Sequence, residues 1–341
     1  MTQKNTRSRA TGRVTLADVA ALAQVSPITV SRALRGERAV ASDLTERVKA
    51  AALQLGYTPD PAARALASRH SDHVAVLIPM LSNNLFVDVL ESIQKTLRQA
   101  GYQTLIGITH YDTREEEQLL REQLQHRPAG ILVTGLDRSE AARALIEKSG
   151  IPCVHMMELA QSPDVNSVGF SQTHAAMTLT EHLLQSGRQR IAFAAAQLDP
   201  RTLQRLDGWR KTLKAAKLYD KALSYTNKSP SSMALGGEML QQIMANDPSI
   251  DAIFFCNDDL AQGALLAAQR LKIKVPQQLA IAGFNDLTGS DLVGPGLTTI
   301  RTPRAAIGQA AAQMLLKLMR KEDVAIPSVD VGYALMVRGS T

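Results

Sequence analysis

Residues 15–35 read Thr-Leu-Ala-Asp-Val-Ala-Ala-Leu-Ala-Gln-Val-Ser-Pro-Ile-Thr-Val-Ser-Arg-Ala-Leu-Arg, and this stretch decides the architecture. Leu16, Val19, Ala20 and Ala23 recur at helical spacing and give one apolar face. Thr15 caps the start with Asp18 three residues on, a capping box with Asp in place of Glu or Gln. Ser26 caps a second helix with Pro27 at its first position, where a missing N–H costs nothing. Val30, Ala33 and Leu34 supply its buried face, and Ile28, Thr29, Ser31 and Arg32 its outer face. A third helix follows at 42–55, with Leu44, Val48, Ala51, Ala52 and Leu55 turned inward. The outer face of the second helix suits a DNA groove. Its hydroxyls can bond phosphates, its Arg can reach guanine O6 and N7, and its aliphatic side chain can meet a thymine methyl. On pattern alone, any small helical hairpin would look similar.

Charge adds to the pattern. The first 60 residues carry nine Lys/Arg against five Asp/Glu, so most of the net +6 sits beside the candidate helix. The basic run 4–13 reads as an arm drawn to phosphates, or as a solubilising terminus. Tyr57-Thr-Pro-Asp-Pro61 then breaks the third helix. Asp60 and Pro61 can start a new helix at 62–67, too short to hold by itself, so it folds only when something holds it.

Val14-Thr-Leu-Ala-Asp-Val-Ala20, Val25-Ser-Pro-Ile-Thr-Val-Ser-Arg-Ala-Leu34, Leu55-Gly-Tyr-Thr-Pro-Asp60 and Ala63-Arg-Ala-Leu-Ala67 closely resemble the amino-terminal headpiece of the lactose/galactose repressor family of bacterial transcription regulators. Two departures stand out. Gln24 occupies a turn position usually held by Gly, which implies slight strain or a left-handed Gln. Ala41 stands where a phosphate-contacting Ser is common. The resemblance implies that Pro27, Ile28 and Arg32 read the operator and that Ser26, Thr29 and Ser31 meet phosphates. Thr15, Arg35, Tyr57, Ala63 and Leu66 complete the DNA-contacting set. Leu66 matches the residue of a hinge helix that wedges into the minor groove and kinks the duplex.

The chain has 341 residues, enough for two or three domains. Hydrophobic content is 45% and aromatic content 4%, so the cores are aliphatic and alanine-rich. Cys153 and Cys256 lie in apolar runs, without metal-ligand spacing or a disulfide framework. No signal peptide or long apolar span is present, and the expected location is the cytoplasm, at the nucleoid. From His73 on, apolar runs alternate with amphipathic segments in two sets, the sign of two parallel open sheets with helices on both faces. The expected fold class is α/β: an all-α helix-turn-helix headpiece and hinge helix, then a two-lobed core resembling periplasmic binding proteins. The headpiece is expected at 1–60, the hinge at 61–72, and the effector-binding and dimerisation core at 73–341. One lobe would span about 73–170 plus 299–326, the other about 171–298 plus 327–341. The second half is expected to hold helices at 204–216 and 305–320 and a single strand at 328–338.

Ligands of such sheets bind beyond the carboxyl ends of the strands, here in a cleft between two sheets. Four pieces fall there: Leu198-Asp-Pro-Arg-Thr202 with Arg205, Phe255-Cys-Asn-Asp-Asp259, Gly283-Phe-Asn-Asp286, and Glu158. Arg201 and Arg205, at a helix start, form a candidate carboxylate or phosphate site; the alternative is a pair of solvated surface arginines. The family resemblance makes Arg205 an effector contact and Asn285 a replacement for an Asp common in sugar-binding members. Together these favour an anionic effector. Glu158 and Asn257 would take hydroxyl groups, and Phe86 and Phe284 would either wall the site or serve as ordinary core aromatics. The cleft segments resemble the gluconate-utilisation repressors of the family, which implies gluconate, a ketogluconate or a related sugar acid.

The expected function is therefore a DNA-binding transcriptional regulator, a repressor of a sugar-acid catabolic operon. Its partners would be double-stranded operator DNA, a small effector and a second copy of the chain, with no cofactor, no metal and no membrane. A neutral sugar or a nucleobase is the alternative effector. A sugar-acid enzyme or a transport-type sugar-binding protein is the competing class. Against an enzyme, the chain has no Walker A loop and no Gly-x-Ser-x-Gly. Asp258, Asp259 and Asp286 could mimic a carboxylate pair but are explained more simply as structural caps.

Overall fold

A computed structural model describes residues 14–34, 40–58, 71–81 and 84–341. The basic run 4–13, Arg35, and the expected hinge helix with Ala63 and Leu66 lie outside the described residues. The chain divides into two compact units, Met1–Ser71 and Asp72–Thr341.

In the first unit, α1 (Leu16–Ala23), α2 (Pro27–Leu34) and α3 (Ser42–Leu55) pack against one another. Val19, Ala20, Ala23, Val30, Ala33, Val48, Ala51 and Ala52 form the core, with Leu55 and Tyr57 packed at its edge. The capping box closes: the Thr15 N–H donates to Asp18 Oδ2 at 2.8 Å and the Asp18 N–H to Thr15 Oγ1 at 3.4 Å. Ser26 Oγ accepts from the Thr29 N–H at 3.1 Å. Gln24 takes φ 53°, ψ 47°, and its N–H reaches the carbonyls of Ala20 and Ala21. The turn thus keeps the left-handed geometry that glycine adopts most cheaply. Ala41 precedes α3 without a side-chain cap.

The second unit holds two six-stranded sheets. β1 (His73–Ile78), β2 (Gln103–Ile108), β3 (Gly130–Thr134), β4 (Cys153–Met156), β5 (Ser167–Gly169) and β11 (Ser328–Asp330) run in the order β11-β5-β4-β3-β1-β2. β6 (Ile191–Ala195), β7 (Ser224–Thr226), β8 (Ala252–Phe255), β9 (Ala280–Asn285), β10 (Thr298–Arg301) and β12 (Ala334–Met336) run in the order β12-β10-β9-β8-β6-β7. All neighbours are parallel except β10 and β12. Helices α4 (Asn84–Gln99), α5 (Thr113–Gln125), α6 (Glu140–Ser149), α7 (Gln172–Gln185), α8 (Pro200–Ala215), α9 (Met233–Asn246), α10 (Asp258–Arg270) and α11 (Arg304–Met319) connect the strands. β1 shows why its sequence is apolar throughout. Val74, Val76 and Ile78 pack into one core cluster and Ala75 and Leu77 into another, because a parallel sheet is covered on both faces.

The helices pair as α4 with α11, α7 with α8, and α9 with α10. Each pair meets at glycine. A Cβ on Gly308 would lie 2.5 Å from the Val89 carbonyl oxygen, and one on Gly208 2.3 Å from that of Thr173. One on Gly236 would lie 2.0 Å from the Leu260 oxygen, and one on Gly263 1.8 Å from the Met233 oxygen.

Three expectations are corrected. The helix expected from 204 begins at Pro200, because Asp199 caps it by accepting from the Arg201 N–H at 3.0 Å. The single strand expected at 328–338 is two strands, broken at Gly332 with φ 70°. These strands also move the lobe limits. β10 pairs with β9, so the chain leaves the second sheet after Arg301 rather than before 299. β11 pairs with β5, so 328–330 stays with the first sheet.

The first sheet contains a buried polar cluster. Arg138 donates from Nε to Glu116 Oε1 at 2.8 Å and from Nη2 to the Thr134 carbonyl at 3.2 Å. Its Nη1 lies 2.7 Å from His155 Nδ1. The Gly135 carbonyl, which only accepts, lies 3.1 Å from the same nitrogen, so its two neighbours ask opposite roles of Nδ1. Burial, and then the Arg138 charge, lower the His155 pKa from 6.5 to about 4. A depressed histidine contributes stability that is complete above its unfolded pKa and is lost as pH falls toward the folded one. In chemical denaturation, the wild type is expected to lose about 2 kcal/mol relative to His155→Gln between pH 7 and pH 4. Parallel pH profiles for the two proteins would contradict this origin.

Candidate functional site

Two surfaces carry the chemistry. The first is the outer face of α2. Pro27, Ile28 and Arg32 are exposed, Ile28 to 65%, while Thr29 and Ser31 are half-buried. Val30 and Ala33 on the opposite side are buried, so the core fixes the direction of the reading face. The hydroxyls of Ser26 and Thr29 lie 2.8 Å apart, and that of Thr15 donates to Asp18. Thr15, Ser26 and Thr29 therefore build the helix starts as well as edging this face. Tyr57 is half-buried against the headpiece core.

The second is a cavity of about 250 Å³ in the second unit. Met80, Leu85, Phe86 and Tyr111 line it from segments following β1 and β2. The opposite wall comes from segments following β6, β7, β8 and β9. It includes Asp199, Arg201, Thr202, Arg205, Asn257 and Asn285. The strand-end rule is met, and five of the seven residues singled out from the sequence, Phe86, Arg201, Arg205, Asn257 and Asn285, come together here.

Glu158 does not line the cavity. Its Oε2 lies 3.5 Å from Arg201 Nη1 and accepts from the Leu136 N–H at 3.3 Å, and its Oε1 accepts from Gln204 Nε2 at 2.5 Å. Both of its oxygens are engaged by protein donors and it stands outside the cavity lining, so the expected role toward ligand hydroxyls is corrected to one of holding Arg201. The expected arginine pair is also unequal. Arg201 meets Asp199 at 3.0 Å as well as Glu158. Burial works against its charge, but Asp199, Tyr111 and Glu158 outweigh it and raise the pKa. Arg205 has no carboxylate within ion-pair distance among the described residues. It donates from Nε to Gln172 Oε1 at 2.9 Å and from Nη1 to the Cys256 carbonyl at 2.6 Å. Its guanidinium carbon stands 3.8 Å from the centroid of the Phe284 ring. Phe284 thus backs Arg205 rather than walling the cavity. Burial lowers the Arg205 pKa, so an anion in contact with it gains from a charge that the protein does not neutralise directly.

Asn257 caps α10: its Oδ1 accepts from the Leu260 N–H at 3.1 Å, and its Nδ2 donates to Ser231 Oγ at 2.8 Å. Asn285 has φ 114°, a strained conformation of the kind concentrated at functional sites. Its Oδ1 accepts from Thr302 Oγ1 at 3.1 Å, and its carbonyl from Arg304 Nη1 at 2.8 Å. Arg304 Nε also donates to Asp88 Oδ2 on α4 at 2.6 Å, so the strained strand end is tied to the first lobe.

The sequence reading missed Tyr111 and the run from Ser231 to Met233, and it placed Thr202 and Asp259 in cleft segments without giving them a ligand role. Tyr111 follows β2, where His110 and Tyr111 both turn through positive φ. The strand-end rule could have found it. Ser231 and Ser232 follow β7, a three-residue strand too short to recognise.

Of the three carboxylates that could mimic a catalytic pair, Asp258 and Asp286 are structural and Asp259 lines the cavity. Asp258 accepts from the Leu287 N–H at 2.6 Å, Thr299 Oγ1 at 2.7 Å and Ser290 Oγ at 3.1 Å. Asp286 pairs with Arg301 at 2.7 Å and Arg338 at 2.8 Å. Cys153 and Cys256 are free thiols that burial pushes up to about 12 and about 11. Among the described residues no cluster of His, Cys, Asp and Glu could hold a metal ion, and no helix is long and apolar enough to cross a membrane.

A three-helix unit with an exposed second helix, in one chain with a two-sheet core enclosing a polar cavity, defines a ligand-responsive DNA-binding regulator. Residues 15–60 match the family described as bacterial regulatory proteins, lacI family, and residues 180–341 match a periplasmic binding protein-like domain. The chain is 52% identical to the HTH-type transcriptional regulator GntR of Pseudomonas aeruginosa over 341 residues, which is 100% of this chain and 99% of that protein. The crystal structure of transcription regulator GntR from Chromobacterium violaceum superposes with a TM-score of 0.77 at 48% identity, over 79% of this chain and 98% of that one. The lac repressor dimer bound to operator and the anti-inducer ONPF gives a TM-score of 0.85 at 26% identity, over 96% of this chain and 99% of that one. The chain belongs to the LacI family of DNA-binding transcriptional regulators. Such regulators bind operator DNA and small-molecule effectors, and the enzyme reading falls away.

Proposed function

We propose that this chain represses sugar-acid catabolic genes and that a monoanionic polyol acid, gluconate or a ketogluconate, is its effector. The observation that carries the reading is Arg205, a buried cation in the cavity wall held by neutral acceptors. A ligand carboxylate would take its remaining N–H groups. The hydroxyl groups need polar partners, and Thr202, Asn257, Asp259 and Asn285, which line the cavity, would supply them. The resemblance of the cleft segments to gluconate-utilisation repressors supports the same class.

The working unit is a homodimer on a two-fold operator in the cytoplasm. Each protomer would comprise a headpiece at 1–60, a hinge at 61–72 and a core from 73 on. Pro27, Ile28 and Arg32 read bases, Ser26, Thr29 and Ser31 meet phosphates, and Leu66 wedges into the minor groove. Effector binding favours one arrangement of the lobes and releases the operator, which requires differential affinity of a few kcal/mol between two states.

Calorimetry against gluconate, ketogluconates, neutral sugars and nucleobases tests the effector. Titration of the DNA upstream of the gene, with and without each ligand, tests the coupling. Binding of a neutral sugar with no response to any sugar acid would remove the charge argument and leave the operator half standing.

A further inference from the structure

The cavity contains two arginines four residues apart whose supports differ in kind. Arg201 is held by two carboxylates, Asp199 and Glu158. Arg205 is held by two neutral acceptors, the Cys256 carbonyl and the side-chain amide of Gln172. Gln172 is the first residue of α7 and is fully buried. Its Nε2 donates to the Met157 carbonyl at 3.1 Å while its Oε1 accepts from Arg205 Nε at 2.9 Å. The Met157 carbonyl can only accept, so it fixes the amide orientation and presents the oxygen to Arg205. Met157 follows β4 of the first sheet, whereas Arg205 lies on α8 beside the second. One amide therefore joins the two sides of the core through the residue that meets the ligand.

We propose that Gln172 is the positioning residue that fixes Arg205 without neutralising it, and that this neutrality sets the cavity's preference for a carboxylate ligand. The proposal rests on the sugar-acid reading above. Glutamate at this position would have almost the same shape. It would place a negative charge against the Arg205 guanidinium and turn an acceptor toward the Met157 carbonyl. The arginine would then resemble Arg201, already matched and of little use to an anion. Methionine would keep the volume and remove both hydrogen bonds.

The test compares gluconate with gluconamide, its neutral amide of nearly the same shape, by calorimetry on the full chain. In the wild type, gluconate is expected to bind at least about 30-fold tighter than gluconamide. In Gln172→Glu that ratio is expected to fall to within about threefold of unity. A preserved ratio in Gln172→Glu overturns the proposal and leaves the sugar-acid reading intact. Equal losses for both ligands also overturn it, since a purely structural role gives that result. If the wild type binds no sugar acid, the sugar-acid reading fails and the proposal fails with it. Should Gln172→Glu not fold, Gln172→Met decides: gluconate affinity is expected to drop about tenfold, and a change under twofold overturns the proposal.

Discussion

Replacing Arg205 by alanine is expected to weaken sugar-acid binding by at least about 100-fold, roughly 3 kcal/mol, with operator affinity in the absence of ligand essentially unchanged. Two effects add. The ligand carboxylate loses charge-assisted hydrogen bonds, each contributing about 1.5–3 kcal/mol. The Gln172 and Cys256 oxygens, whose donors are Arg205 Nε and Nη1, are left unpaired in a buried site. Lysine should rescue little. The paired Nε and Nη1 contacts are features of a guanidinium 3.8 Å from the Phe284 ring centroid, and an ammonium cannot reproduce them. Calorimetry of Arg205→Ala and Arg205→Lys against gluconate checks both statements. Retention of wild-type affinity by either variant would place the ligand carboxylate elsewhere.

The largest effect on stability is expected from adding one methyl group at Gly263. Its Cβ would lie 1.8 Å from the Met233 carbonyl oxygen and 2.6 Å from the carbonyl carbon, and both atoms are backbone. No rotamer change can relieve such a contact, so α9 and α10 must separate. A cost of about 3 kcal/mol or more follows, with a fall in Tm of roughly 10 °C. Gly237 on α9 is the control. Its added Cβ would meet Ala267 Cβ at 3.4 Å, an ordinary contact. Gly237→Ala should therefore be neutral or stabilising by about 0.5–1 kcal/mol through helix propensity. Equal effects of the two substitutions in thermal unfolding would mean that the glycines do not set the helix spacing.

The headpiece was legible because its signals are local. Thr15 with Asp18, and Ser26 with Pro27, mark helix starts within four residues, and α1 to α3 lie where they indicate. The sheets were legible as a rhythm, less so as a set of pairings. Apolar runs such as 74–78 announce buried strands, but the short strands β5, β7, β11 and β12 carry too few residues for a pattern. Partners along 328–336 are decided by which sheet edge is open, a property of the whole fold. The site followed the same division. Placing ligand residues at strand ends located Arg201, Arg205, Asn257 and Asn285, because that rule depends on topology. It misassigned Glu158, which also ends a strand but faces Arg201 and Gln204. Nothing along the chain states that Arg201 is matched by carboxylates and Arg205 by amide and carbonyl oxygens. That difference depends on residues 33 to 51 positions away from Arg205, brought in by separate strands and helices.

The glycine contact between α9 and α10 has a consequence for how the regulator can diversify. Met233, whose carbonyl touches Gly263, is also a wall residue of the cavity. The same residue thus stands at the seam between two helices and on one side of the space offered to the ligand. Bulk added at the seam would alter the dimensions of the cavity from outside it, at a cost in stability. Changes of side chain on the lining leave that helix spacing untouched. New ligand preferences in this scaffold are therefore most accessible at the lining side chains, while Gly236 and Gly263 act as a fixed gauge of cavity width.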